Sequence, residues 1–419
     1  MGVVIFIAYF VLFCWLVTRT SFFVKSGLPK RVLIALFAAK IIAGAAYAWF
    51  YSLPQYIAGS DTWRFFDASK PETDFLLKDP IGFIKDIFHY GYNNAGNIFY
   101  GQDSYWNDLK SNVVIKLLAV CNVFTFKNYY SNIVLFNFLF FFGPVALYRV
   151  MVQLFTGKRF LIVASIFLLP SFIFWCSGIH KDGLIFSALA LLIFYFYKQL
   201  TAKRLLTVPF IIQLLCLVLI FALRNVVCLL LIPALLTWFL CNRYPQRRLL
   251  IVAAVYGSCI ILFFASAYLP ASINLPQYII EKQNEFRQLQ GGSQIKTQAL
   301  EPGFVSFIKF LPSALDIALL RPHISEMHNS SYLPAILELF LLWFLTGLFL
   351  FSKKILPASN NHIAVIIFCF CFAFSYLLVA GYTITFSGAI VRYKSLVLPI
   401  LFCPLICITN INKDVILKR

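Results

Sequence analysis

The sequence predicts an all-α fold, a polytopic bundle of about 11 transmembrane helices, and three observations carry that expectation. Hydrophobic residues make up 61% of the 419 and charged residues only 12%, with a mean hydropathy of +0.84, so a soluble domain would have more apolar surface than it could bury. Apolar runs near the length of a bilayer crossing recur along nearly the whole chain. The basic residues behind the net charge of +19 gather in short loops between those runs, the positive-inside pattern. That placement argues against nucleic acid as a partner, although a soluble chain this basic would suggest one.

The first run, Val3 to Val17, is followed by Arg19, Lys25, Lys30 and Arg31 with no acid among them. This loop is expected in the cytoplasm and the N-terminus outside. No small-residue cleavage site follows the run, so it reads as a retained helix rather than a signal peptide. Further spans are expected at Val32 to Tyr51, Tyr130 to Tyr148, Leu161 to Ser177, Leu184 to Tyr197, Leu205 to Leu223, Val226 to Leu240, Leu249 to Leu269, Tyr332 to Phe351, Ala364 to Tyr382 and Leu396 to Ile408. The alternation tests itself: Lys158-Arg159, Lys198 to Arg204, Arg243 to Arg248, Lys353-Lys354 and the Lys413 to Arg419 tail all fall inside.

Residues 1–419 read as one integral membrane domain with two large extracytoplasmic loops, Leu53 to Asn128 and Pro270 to Ser331. The first has helix-like apolar spacing at Ile81 to Ile87 and Val113 to Phe126, broken by Lys85, Asp86, Lys116 and Asn122, as in helices lying at the interface. The second has a charged helix-like piece (Ile279 to Leu289), a Gly291-Gly292-Ser293 stretch and an amphipathic piece (Phe304 to Leu320). The 11 cysteines lie mostly in apolar runs, as Cys369, Cys371, Cys403 and Cys407 do, without a CxxC pair. They read as small core hydrophobes, not a disulfide framework or a zinc site. No metal site or cofactor is assigned.

The remaining ionisable groups are the informative ones. Asp61, His180, Lys181, Asp182, Arg224, Arg321, His323 and Arg392 all fall on the extracytoplasmic side of this topology. Charge beside hydrocarbon is costly and tends to be kept for a task. Gly59-Ser60-Asp61 opens the first loop ahead of Trp63-Arg64-Phe65-Phe66-Asp67. Asp61 there can take a proton from an attacking hydroxyl beside aromatics that can stack on a sugar, or it can simply cap the next helix, with Ser60 as the alternative cap. In Ser177-Gly178-Ile179-His180-Lys181-Asp182-Gly183 the glycines supply a hairpin turn. The turn itself needs no His, Lys and Asp in succession: Lys181 can bind phosphate and Asp182 can cap or pair with it, against the plainer reading of a solvated turn. Arg224, Arg321, His323 and Arg392 each read singly as interfacial anchors. Together, cations on the side that should be poor in them point to an anionic ligand such as a lipid phosphate. Lys40, midway through the second span with no obvious acidic partner, reads as a cavity residue or as a sign of tilt.

With these residues in view, the chain resembles the GT-C superfamily of polytopic glycosyltransferases and the related bacterial polymerases of surface polysaccharides. The likeness rests on Gly59-Ser60-Asp61 with its downstream aromatics, on Pro170-Ser171 through Phe174-Trp175 to Gly178 and Lys181-Asp182, on Arg321-Pro322, and on Gly388 through Arg392-Tyr393-Lys394 to Pro399. These motifs are short and spread over most of the chain. The resemblance implies transfer of a sugar from a polyprenyl-phosphate or diphosphate carrier to a lipid-linked or protein acceptor, outside a bacterial cytoplasmic membrane. Asp61 falls where the family's catalytic acid would. Two features depart from the pattern: the acid follows the second helix rather than the first, and Thr62 stands where a second acid would be. The mechanism implied is inverting displacement, with Asp61 as general base and Arg392, Lys181, and Arg321 or Arg224 neutralising the leaving phosphate; such a leaving group needs no general acid. A polymerase or ligase using the same cations without Asp61 is the alternative. A lipid-linked glycan transporter would call for paired broken helices and charge through the membrane.

Overall fold

The computed structural model describes residues 2–88, 104–202, 205–270, 273–289, 293–326, 332–352, 354, 356–357 and 359–409. The Gly291-Gly292 pair, Lys203-Arg204, Lys353 and the Lys413 to Arg419 tail lie outside the described residues, as does the middle of the first large loop. The fold is all-α. Its helices are α1 (Gly2–Arg19), α2 (Ser21–Val24), α3 (Lys30–Ser52), α4 (Pro54–Ile57), α5 (Asp61–Lys78), α6 (Pro80–Lys85), α7 (Tyr105–Thr125), α8 (Tyr129–Leu154), α9 (Arg159–Phe167), α10 (Pro170–Trp175), α11 (Lys181–Ala202), α12 (Thr207–Leu223), α13 (Asn225–Arg243), α14 (Arg248–Ala265), α15 (Leu275–Gln288), α16 (Phe304–Leu315), α17 (Leu333–Phe351), α18 (Asn360–Thr383), α19 (Ser387–Ser395) and α20 (Leu398–Ile408). Among the described residues, extended pairing is confined to the isolated bridges Gln294 to Phe386 and Lys354 to Thr409.

Eight of the described helical segments are long and apolar enough to cross a membrane: Gly2–Arg19, Lys30–Ser52, Tyr129–Leu154, Lys181–Ala202, Asn225–Arg243, Pro245–Tyr268, Leu333–Phe351 and Asn360–Thr383. The chain is a membrane protein with transmembrane helices. Several of these helices turn large apolar side chains outward, Val3 at 71% exposure and Ile261 at 70% among them, as lipid-facing surface requires. Three expected spans take other forms. The segment 161–177 is two short helices, because Pro170 restricts the residue before it and starts a new helix, α10. Thr207–Leu223 is apolar but only 17 residues long. The last segment is the pair α19 and α20, bent by 65°.

The chain divides into two compact units whose segments interleave: 1–149, 172–196 and 206–225 form the first, and 150–171, 197–205 and 226–419 the second. In the first unit α7 lies along α5 and also packs on α12, while α3 meets α1 and α5. Lys116 and Asn122, which interrupt the apolar spacing of α7, are buried here and not turned to an interface. Lys116 Nζ lies 2.5 Å from Glu72 and 2.7 Å from Asp86, and Asn122 donates to Ser69 and Thr73 and accepts from Asn132. Polar groups buried this way hold only because each has a partner. In the second unit α18 is central, packing against α15, α16, α19 and α20, with α9 and α17 on α20. All 11 cysteines are free. Burial pushes the Cys121 thiol up to about 12, which keeps it unreactive.

Candidate functional site

In the first unit the segment between α10 and α11 is wedged in place from both sides. Buried Lys40 of α3 donates to the Cys176 carbonyl and to Ser177 Oγ, both at 3.0 Å, and lies over the Phe172 ring. Asn137 of α8 donates to the Ser177 carbonyl at 2.8 Å. Lys40, buried, thus has its partners at the carbonyl end of a short helix, where a cation is favoured. Gly178 and Gly183 do not act as turn glycines either, since neither has positive φ and Gly183 lies inside α11. They permit close approach. A Cβ at Gly178 would collide with the Tyr47 ring, one at Gly183 with Phe140, and one at Gly44 with the Ser177 carbonyl.

This wedge aims His180 at Asp61. His180 Nε2 lies 3.4 Å from Asp61 Oδ2 and Nδ1 lies 3.1 Å from Asp182 Oδ2. Asp182 Oδ1 accepts from Arg224 Nη2 at 2.7 Å, and Asp61 Oδ1 accepts from Arg64 Nη2 at 2.8 Å. The backbone N–H of Asp182 also faces His180 Nδ1, at 3.3 Å. One nitrogen cannot accept that bond and donate to the carboxylate at once; the tautomer that accepts it at Nδ1 carries its proton on Nε2, facing Asp61. The outcome is a chain Arg64, Asp61, His180, Asp182, Arg224 with a gradient of exposure. His180 and Asp182 side chains are 1% exposed, Arg224 10%, Asp61 33% and Arg64 68%. Both carboxylates also sit in the first turns of their helices, α5 and α11, where the helix dipole favours negative charge. Asp61 is therefore the end that solvent or substrate can reach.

The capping alternative is narrower than it looked. Ser60 occupies the N-cap position of α5 and its side chain makes no capping bond; Asp61 lies one residue inside. The aromatics after Asp61 serve packing: Phe65 and Phe66 are buried, Trp63 stacks on Tyr129 with ring centroids 4.1 Å apart, and Thr62 is buried against the Tyr129 hydroxyl at 2.5 Å. Lys181 is half-buried at the start of α11.

Arg321, His323 and Arg392 belong to the second unit. Arg321 donates to Asp316 Oδ2 at 2.9 Å and to Glu326 Oε1, and His323 Nε2 pairs with Asp316 Oδ1 at 3.0 Å. Glu326 Oε2 accepts from the His323 backbone N–H at 3.2 Å and from Ser387 Oγ at 2.7 Å. Lys394 is buried, donates to the Arg321 carbonyl at 2.5 Å and lies in the field of Glu338, Asp316 and Glu326. Glu338 in turn accepts from Ser171 Oγ at 2.5 Å and from its backbone N–H at 2.8 Å. Arg321, Glu338 and Lys394 line a cavity whose apolar wall includes Leu339, Leu342 and Phe402. Arg224 and Arg321, counted from sequence as cations awaiting an anion, already hold carboxylates of the protein. Arg392 is half-buried on α19, two residues before Lys394.

Sequence reasoning passed over Arg64, Asp316, Glu326 and Glu338. Glu338 carried a signal, as an acid inside an apolar span. Arg64 and the acids around Arg321 were readable only as local spacing. Among the described residues no group of three or more His, Cys, Asp or Glu side chains is placed to hold a metal ion. Neither a family model, nor a curated protein, nor a solved structure matches this chain.

Proposed function

We propose that the chain is a membrane glycosyltransferase that moves a sugar from a polyprenyl-phosphate-type donor to a lipid-linked or protein acceptor, on the extracytoplasmic face of a bacterial cytoplasmic membrane. The observation that carries this is Asp61: a carboxylate held by a buried His–Asp–Arg chain and reaching solvent only at its own end. The topology that puts it outside has about 11 spans, the N-terminus out, and Leu53 to Asn128 and Pro270 to Ser331 as the two large outer loops; the basic loops support it. In the reaction Asp61 takes the proton of the acceptor hydroxyl as that oxygen bonds to the anomeric carbon. The bond from that carbon to the donor phosphate breaks, the configuration inverts, and the lipid phosphate leaves as an anion. A phosphate leaves without a general acid, so one carboxylate suffices. Lys181, next to His180 in sequence, supplies positive charge for that anion.

Asp61→Asn tests this. It keeps shape and removes the proton acceptor, so transfer in membranes supplied with a 14C-labelled polyprenyl-phosphate hexose should fall roughly 10²- to 10⁴-fold. Thermal stability should change little, because the pair with exposed Arg64 is a surface one and an asparagine side chain can still present an oxygen to His180. Full transfer by Asp61→Asn would instead favour an oligosaccharide polymerase or ligase working through cations alone.

A further inference from the structure

Resting on Asp61 as the base, we infer that His180 is a positioning residue for that base, held from behind by Asp182 and Arg224, and that neither His180 nor Asp182 binds substrate. His180 and Asp182 side chains are 1% exposed, so neither can meet a sugar or a lipid phosphate unless the protein opens. Both His180 ring nitrogens are instead occupied by carboxylates, Asp61 on one side and Asp182 on the other. Asp182 spends its second oxygen on Arg224.

The geometry fixes Asp61 in a way an ordinary surface carboxylate is not fixed. Arg64 holds Oδ1 from an exposed side, whereas His180 faces Oδ2 from inside the unit. The ring in turn cannot shift. It lies near the Phe65 ring, with centroids 6.1 Å apart, and its segment is pinned by Lys40, Asn137 and the close-approach glycines. Along Arg64, Asp61, His180, Asp182 and Arg224 each carboxylate has a nitrogen partner on either side, in surroundings where an unpaired charge would be expensive. A carboxylate aimed by a buried ring backed by a second carboxylate is the arrangement that sets a catalytic group to within a fraction of an ångström, and a misplacement of about 1 Å can cost 100-fold.

The experiment compares His180→Phe, His180→Gln, Asp61→Asn and the His180→Gln/Asp61→Asn double variant, in membranes with their own acceptor and a 14C-labelled polyprenyl-phosphate hexose. His180→Phe fills the ring's space without its nitrogens and should lower kcat roughly 100-fold with the donor KM unchanged. His180→Gln restores one donor toward Asp61 and should recover part of that loss. In the Asp61→Asn background His180→Gln should cost nothing further, because its effect passes through Asp61. In protein labelled with 15N-histidine, Asp61→Asn should move the His180 Nε2 resonance. Asp61→Asn inactive, with His180→Phe at wild-type kcat or with His180→Gln losses that add to those of Asp61→Asn, overturns the role of His180 and leaves the base standing. An active Asp61→Asn overturns the base and His180's role with it. Should His180→Phe fail to fold, the His180→Gln cycle decides.

Discussion

Each unit holds a cluster of charged side chains, and the two are built differently. In the first unit Asp61, His180 and Asp182, and Arg224 come from α5, from the start of α11 and from the joint between α12 and α13. They are far apart in sequence and meet only through packing. In the second unit Asp316, Arg321, His323 and Glu326 lie within one short stretch and pair at spacings of three to seven residues, with Ser387 and Lys394 of α19 tying that stretch down. The first cluster has buried middle members and one end in solvent, whereas Arg321 of the second is 19% exposed between acids that are themselves partly exposed. A local, self-neutralised cluster suits a latch that closes a loop onto a helix. A cluster that long-range packing must assemble, with a single accessible carboxylate, suits chemistry, since sites are where a protein keeps costly arrangements.

The sharpest way to break this contrast is to disturb the packing that assembles the first cluster without touching its charges. In Gly178→Ala the new Cβ would run into the Tyr47 ring, so the 177–183 segment must move. The expected loss is about 2 kcal/mol of stability from overpacking, and a fall in turnover of roughly 100-fold from the displaced base. Wild-type turnover in Gly178→Ala would mean that the alignment of His180 on Asp61 does not matter.

Arg321→Ala is the matching test in the second unit. It leaves Asp316 and Glu326 without their guanidinium, and a partner left unsatisfied costs about 1–3 kcal/mol. A latch predicts that stability loss, read by thermal unfolding in detergent, with turnover per folded molecule unchanged. Turnover lost at full stability would make Arg321 a ligand for the donor phosphate and erase the distinction between the clusters.

How much of this was legible follows from the same contrast. The all-α fold and the long apolar helices were readable because composition and run length act locally. Asp61, His180, Asp182 and Arg224 could be singled out one by one, since an ionisable residue between apolar runs stands out. Their joining could not, because it depends on Gly44, Gly178 and Gly183 allowing three helices and a connecting segment to touch. Gly178 and Gly183 looked like turn formers from their neighbours. Lys40 misled for a related reason: a lysine inside an apolar span suggests an acidic partner, whereas its partners are a backbone carbonyl and a serine hydroxyl, a pairing that leaves no mark on the sequence. The break in the 161–177 segment was the opposite case, since Pro170 was in plain view and a helix running through it was the less natural expectation.

The smallest effect is expected at His323, and it separates two roles for that side chain. Its Nε2 lies 3.0 Å from Asp316 Oδ1 with the imidazole 37% exposed, so the contact is largely a surface one. Asp316 keeps its second oxygen on Arg321 whether or not His323 is present. His323→Ala should therefore cost about 0.5 kcal/mol, read at low and at high salt because an ionic contact this exposed is screened over roughly 8–10 Å at ordinary ionic strength. Turnover should stay at the wild-type level. Thermal unfolding of both proteins at low and high salt, with transfer assayed alongside, measures all three quantities. A phosphate-binding histidine gives a different pattern: stability unmoved, transfer lost, and the donor KM raised. That pattern would turn the second cluster from a latch into a binding site.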